Sequence, residues 1–328
     1  MKRILQRILL AAVSLLASGA AHAQPATDYP ARPVRMVVPF APGGASDLVA
    51  RMISPRLSQE IGQQVVVDNR GGASGNIGVE VAARANPDGY TVLLGNIGTM
   101  AINPAIFPKF PIRPLRDLIG VTQVVDVPTA LAAHPSVPVA SVKEFIDYAK
   151  ARPGKLNFGS AGGGSNGRLE MEFFMRAAGI DLVHIPYKGG AGAAATALLA
   201  GEVHTAFVTL SSVLTHAKAG KLRVLGVAAP KRVAAAPDVQ LMAEAGFSGM
   251  TTGSWQGVYV PAGTPRAIVN KLYAVVTKVM NEPEVVKRLN DSGAEVVTSK
   301  SPEDFAGFMK AQTAHWEKLV KLVGVAGE

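Results

Sequence analysis

From residue 34 onward the chain alternates short, unbroken apolar runs with segments of helical spacing, and this alternation restricts its fold more than any other feature. The runs at 34–39 (VRMVVP), 65–67 and 90–94 read as strands, while 46–61, with Leu48, Met52, Leu57 and Ile61, and 77–85 read as helices. A strand that is apolar at every position is buried on both faces, which calls for a parallel sheet covered by helices on each side. The pattern resumes after the proline-rich stretch 103–114, which reads as a loop, and a strand region at 121–133 broken by Pro128. Strands follow at 156–160, 183–186, 203–208 and 222–228, and helices at 141–150, 168–178 and 191–199. The first of these helices opens on a capping box, Ser141 with Glu144. Helices close the chain at 269–280 and from Ser301-Pro302 to about 320. The expectation is an α/β protein of two doubly wound lobes, 24–124 with 249–328 forming the first and 125–248 the second. Trp255 sits on a candidate strand between them. Ligands of such sheets lie on the loops beyond the carboxyl ends of the strands.

Composition agrees with a folded core, since 48% of the 328 residues are hydrophobic and 17% charged. Past residue 23 no apolar run approaches the ~20 residues of a membrane span. The first 23 residues have the three parts of an export signal: basic Lys2, Arg3 and Arg7, an apolar stretch at 8–17, and Ala21-His22-Ala23 before the cut. Cleavage would begin the mature chain at Gln24 and lower the net charge from +9 to +6. There is no cysteine, hence no lipid-anchored N-terminus and no thiol chemistry. A periplasmic location is expected. The mild positive charge suits an anionic small molecule. Its basic residues are scattered without interleaved aromatics, so no nucleic-acid partner is expected.

Three glycine-rich loops follow strands: 39–47 (PFAPGGASD), 95–100 (GNIGTM) and 159–167 (GSAGGGSNG). The first and third lead straight into helices, and glycines there let backbone N–H groups and a helix N-terminus cradle an anion. The alternative for any one of them is a tight turn that binds nothing. Gly162, Gly164 and Gly167 spell a dinucleotide fingerprint, but no acid closes the following strand: Asp181 precedes it, and Tyr187-Lys188 come after. Gly163, Ser165 and Gly167 spell a nucleophile elbow, so a secreted serine hydrolase using Ser165, with His315 and Asp238 or Asp304, stands as the alternative function. Outside the signal, His134, His184, His204, His216 and His315 share no metal-ligand spacing, and His184 reads as a hydrogen-bonded structural residue. Neither metal nor cofactor is expected.

Several runs, in order, resemble the substrate-binding proteins of tripartite tricarboxylate transporters, the Bug or TctC-type receptors. They are 39–47, 67–75 (VDNRGGASG), 87–91 (PDGYT), 185–190 (IPYKGG), 219–223 (AGKLR), 253–257 (GSWQG) and 261–265 (PAGTP), and they span the mature chain. The resemblance implies the type II periplasmic-binding-protein fold and a non-catalytic, monomeric receptor. Such a receptor closes on a small carboxylate and presents it to membrane components of a transporter. The acid could be a di- or tricarboxylate, an aromatic acid or an acidic amino acid. A carboxylate sensor for a signalling membrane protein would use the same site. Carried onto this chain, the ligand loops are 40–47 and 160–166. The candidate binding residues are Phe40, Ala41, Gly43, Gly44, Ala45, Ser46 and Asp47; Gly95, Asn96 and Thr99; and Ser160, Ala161, Gly162, Gly164, Ser165, Asn166 and Arg168. Arg168 stands where the family has histidine, and Val208 where an acidic or small residue is common; Arg168 either meets a second acidic group or points outward.

Overall fold

The computed structural model describes residues 29–162, 165–187, 190–250 and 253–324; the expected signal segment and Gly164 lie outside them. The first apolar run is β1 (Val34–Val38), followed by α1 (Ala45–Ile61), β2 (Val65–Asn69), α2 (Asn76–Ala83) and β3 (Thr91–Asn96). β2 and β3 flank β1 in parallel, as apolar strands joined by helices require. The stretch read as a proline loop is partly helical, with single turns at Asn103–Ile106 and Pro114–Asp117. Each carries its proline in the first turn, where a missing N–H leaves no bond unmade.

β4 (Leu118–Val127) then hands the chain over to a second sheet through β5 (Thr129–Ala133), α3 (Val142–Lys150), β6 (Asn157–Ser160), α4 (Asn166–Ala178) and β7 (Val183–Pro186). This sheet is completed by α5 (Ala191–Ala200), β8 (Thr205–Thr209), α6 (Leu210–Lys218) and β9 (Arg223–Ala228). The chain returns as β10 (Ser254–Pro261), α7 (Arg266–Met280), α8 (Pro283–Asp291), β11 (Glu295–Val296) and α9 (Pro302–Val323).

The sheet orders are β11-β4-β10-β3-β1-β2 and β7-β6-β8-β5-β9. Each contains three parallel strands with an antiparallel strand laid against one side, β10 on β3 and β5 on β8. The two sheets therefore repeat one plan. The chain passes between them at Pro128 and again between Ala228 and Ser254. β4 keeps its pairing with β10 as far as Val127↔Ser254. Pro128 then ends the ladder because it has no N–H to give, three residues beyond the division read from sequence.

Successive side chains of a strand face opposite ways. Met36 and Val38 join Ile53, Leu272 and Val276 under α1 and α7, while Val37 faces Leu93, Tyr259, Phe305 and Trp316 under α9. In the second sheet Leu131, Phe145, Phe158, Phe174 and Phe207 form the core beneath α3 and α4. Ala195, Leu198, Ala206 and Val213 fill the opposite face. Trp255 is buried against Phe308 and donates its indole N–H to Gln312 Oε1 at 3.0 Å, a packing role.

The capping box of α3 is formed. Ser141 Oγ accepts the Glu144 N–H at 3.2 Å, and Glu144 Oε2 accepts the Ala140 N–H at 2.7 Å. Ser141→Ala should cost about 1 kcal/mol and lower the melting temperature by roughly 2–4 °C in calorimetry; an unchanged melt would show that the cap holds nothing.

Candidate functional site

One cavity lies where the carboxyl ends of the parallel strands of both sheets face each other. Loops 39–47, 95–100 and 159–167 leave β1, β3 and β6 at this level, and Thr209 ends β8 there. Thr129 stands opposite Thr209 because β5 runs antiparallel to β8. β10 starts beside the end of β3 for the same reason, which brings Ser254 onto the same wall. This is the switch-point position at which doubly wound sheets hold ligands.

Of the first loop, Phe40, Gly44, Ala45 and Ser46 line the cavity, whereas Ala41, Gly43 and Asp47 do not. Gly43 is at an exposed tip and, at φ +91°, gives its N–H to Asp47 Oδ2 at 3.0 Å. Asp47 also accepts from Arg51 Nε at 2.9 Å. Burial alone would raise its carboxyl, but the hydrogen bonds from Arg51 and Gly43 hold it below its ordinary value. It is an ionised strut inside the loop.

From the second loop Asn96 lines the cavity, joined by Ile97 and Gly98; Gly95 and Thr99 do not. Gly95 packs within β3 against Met100 and Tyr259, and Thr99 closes the turn on Asn96. From the third, Ala161, Ser165 and Asn166 line it, while Ser160, Gly162 and Arg168 do not. The Ser160 hydroxyl is bonded to His184 Nε2 at 2.6 Å, which is the structural role read for that histidine. Arg168 packs with its Nε 3.9 Å from Glu172, off the cavity wall.

Sequence reasoning missed Ser74, Thr129, Ala191, Ala194, Phe207, Thr209 and Ser254, all on the wall. Ser74 is a non-glycine residue in left-handed backbone, φ 56° and ψ 28°, and the buried Asn103 amide fixes that turn by donating to its carbonyl at 2.9 Å. Ser74 lay within the quoted run 67–75, and Ala191 directly after 185–190; those runs were the available signal.

The N-termini of α1 and α5 meet here. Each is capped by glycine, Gly44 and Gly190, with no side-chain bond to a first-turn amide. α4, by contrast, is capped by Ser165, whose Oγ accepts the Arg168 N–H at 3.3 Å. Uncapped amides and the positive ends of two helices offer donors to an anion. The two halves touch through glycines. A Cβ on Gly44 would sit 3.3 Å from the Gly192 amide nitrogen, one on Gly190 2.8 Å from Phe40, and one on Gly162 2.8 Å from Ser74 Oγ.

Among the described residues, the wall carries no Lys, Arg, His, Asp or Glu. Two carboxyls lie behind it. Burial pushes Glu170 up to about 8, helped by Asp126 and opposed by the Thr129 hydrogen bond and the nearby Asn166 side chain. Burial and the neighbouring Glu295 push Asp126 up to about 6.

The family model for tripartite tricarboxylate transporter family receptors matches residues 49–325. The chain belongs to that family. Protein BugT of Bordetella pertussis is 35% identical over 319 residues, covering 96% of this chain and 97% of BugT. The structure of R. palustris Rpa4515 with adipate superposes with a TM-score of 0.87 at 37% identity, covering 91% of this chain and 99% of that one. The periplasmic binding protein BugD does so at 0.87 and 35%, covering 92% and 100%. This receptor of the TctC family thus has the two-lobed fold of periplasmic binding proteins, and its family is one of solute receptors rather than enzymes. In it Ser165 Oγ donates to the Gly162 carbonyl at 2.9 Å while capping α4, and His315 stands on α9 edge-on to Trp316.

Two predictions follow from this geometry. Gly44→Val should hold the halves apart and enlarge the radius of gyration in small-angle scattering, with a cooperative melt retained. Gly43→Val, whose Cβ meets nothing within 4 Å, should strain only its own loop and leave that radius unchanged; equal radii in all three proteins would refute this. Second, the folded protein keeps protons on Asp126 between 3.8 and about 6 and on Glu170 between 4.5 and about 8, where the unfolded chain loses them. Bound protons in excess in the folded state mean that stability falls as pH rises through these windows. Melting temperature should decline from pH 5 to 8, and Glu170→Gln should flatten the upper part of that decline.

Proposed function

We propose that this chain is exported to the periplasm, closes on a small carboxylate, and delivers it to the membrane components of a tripartite tricarboxylate-type transporter. The observation that carries the reading is the cavity between the two sheets, walled by two glycine-capped helix N-termini and by uncharged polar residues that include Ser46, Ser74 and Thr209. Such a wall holds an anion by hydrogen bonds and dipoles alone. Adipate in Rpa4515 is a ligand of the chemistry it suits. The two sheets act as lobes that rotate about Pro128 and the return connection, and closure buries the acid.

The described wall has no carboxylate to pair with an ammonium group, and Asp47 is committed to Gly43 and Arg51. The reading therefore favours organic acids without an amine over acidic amino acids. Ile97, Phe207 and Val208 give the body of the acid an apolar surface.

The test is thermal unfolding of the protein against adipate, malate, citrate, benzoate and glutamate. An acid at ~100 times its dissociation constant adds about 2.7 kcal/mol, a shift of several degrees. A rise with one of the amine-free acids and none with glutamate is expected. No rise with any carboxylate would overturn the reading, and a rise with glutamate alone would overturn the ligand class.

A further inference from the structure

We propose that Glu170 is an uncharged positioning residue for the bound acid: a buried carboxylic acid that fixes the Thr129 hydroxyl on the cavity wall, one helical turn from the wall residue Asn166, and keeps negative charge out of the layer behind it. The proposal rests on the carboxylate-receptor reading.

Glu170 follows Asn166 by one turn of α4, so the two side chains share a face. It is 6% exposed, and Thr129 Oγ1 donates to its Oε1 at 2.6 Å. Thr129 and Asn166 both line the cavity, at 2% and 6% exposure, and Glu170 does not. The carboxyl therefore sits one hydrogen bond behind the wall. Both amide atoms of Asn166 are buried without a protein partner, as is Glu170 Oε2.

A carboxylate buried this deeply would need a cation, and among the described residues the groups that act on this one are Thr129, Asn166 and the acid Asp126. The neutral form fits the site. Oε1 serves as acceptor for Thr129, and the acid proton on the other oxygen leaves no anion in the low-dielectric layer. Ionisation would set a negative charge behind two of the groups that face the ligand carboxylate, and like charges repel strongly there.

Other titratable groups flank this position. Asp126 comes from β4, Arg168 and Glu172 share α4, and His184 bonds Ser160 at the end of β6. From β8 the nearby wall residues are Phe207, Val208 and Thr209, and α9 meets α4 through Trp316 and Val320 beside Leu169. Asp126, pushed up to about 6, completes its titration below the window in which Glu170, at about 8, changes charge.

The test is titration calorimetry from about pH 6 to about pH 9.5 with whichever of adipate, malate, citrate or benzoate gives the largest melting shift. The carboxyl groups of these acids are essentially fully ionised above about pH 7.5, so a fall in affinity above about 8 belongs to the protein. Wild-type affinity should be level to about pH 7.5 and then fall by up to tenfold per pH unit above about 8. Glu170→Ala should bind at least about tenfold more weakly at neutral pH, the scale of one lost buried hydrogen-bonding partner. Glu170→Gln, which keeps an acceptor and a donor without charge, should restore binding and abolish the fall at high pH. Identical pH profiles for wild type and Glu170→Gln would overturn the proposal, as would Glu170→Ala binding as well as Glu170→Gln. Should Glu170→Ala fail to fold, the wild-type and Gln profiles decide the matter. Absence of binding by wild type at every pH would instead remove the receptor reading itself.

Discussion

The structure depends on a constraint at the start of two helices. α1 and α5 begin at glycine, without a capping side chain, and both helix starts line the cavity between the sheets. A serine or aspartate would cap a helix better than glycine by only a few tenths of a kcal/mol, and its side chain would occupy the donors. The loop around α1 satisfies its polar groups elsewhere: Asp47 reaches back to the Gly43 amide and Asn69 donates to the Phe40 carbonyl.

The same glycines decide how closely the halves approach. Gly44, Gly162, Gly190 and Gly192 each lie where a Cβ would meet the backbone or a side chain of the other half. Repetition of one sheet plan supplies the symmetry: each half presents the loop after its first parallel strand to the other. The crossings then become the natural axis, because β4 and β10 stay paired with each other up to the point where both leave the first sheet.

Much of the scaffold was legible from periodicity, since β1, α1, β6 and α4 are unbroken apolar or amphipathic segments bounded by glycine and serine. The site was legible only by halves. Phe40, Gly44, Ser46, Ser165 and Asn166 follow their strands directly and could be found by looking after strand ends. Thr129 could not, because it begins an antiparallel strand and reaches the wall through a pairing register that no local pattern announces; Ser254 reaches it the same way, with the run 253–257 as its one signal. Ser74 hides in a turn fixed by Asn103, 29 residues away. The loops also over-predicted: Gly43, Asp47, Ser160 and Thr99 belong to the right segments, yet they spend their polar groups on shaping the loop. Motif membership identifies the segment, and the direction of each hydrogen bond separates the strut from the ligand group.

A wall of amides and hydroxyls also has consequences for release. A buried arginine would have to be stripped of water on each closure, at a cost of several kcal/mol, and would bind the acid most tightly when the receptor needs to let go. Neutral donors lose less on closing and hold an anion through geometry that exists only while the halves are together. Gly44 and Gly192 approach closely in this structure, so the proposed opening would separate the start of α1 from that of α5 and divide the anion site between two lobes. On the proposed reading affinity is thereby tied to closure, and a partner that pries the lobes apart would discharge the acid without touching it.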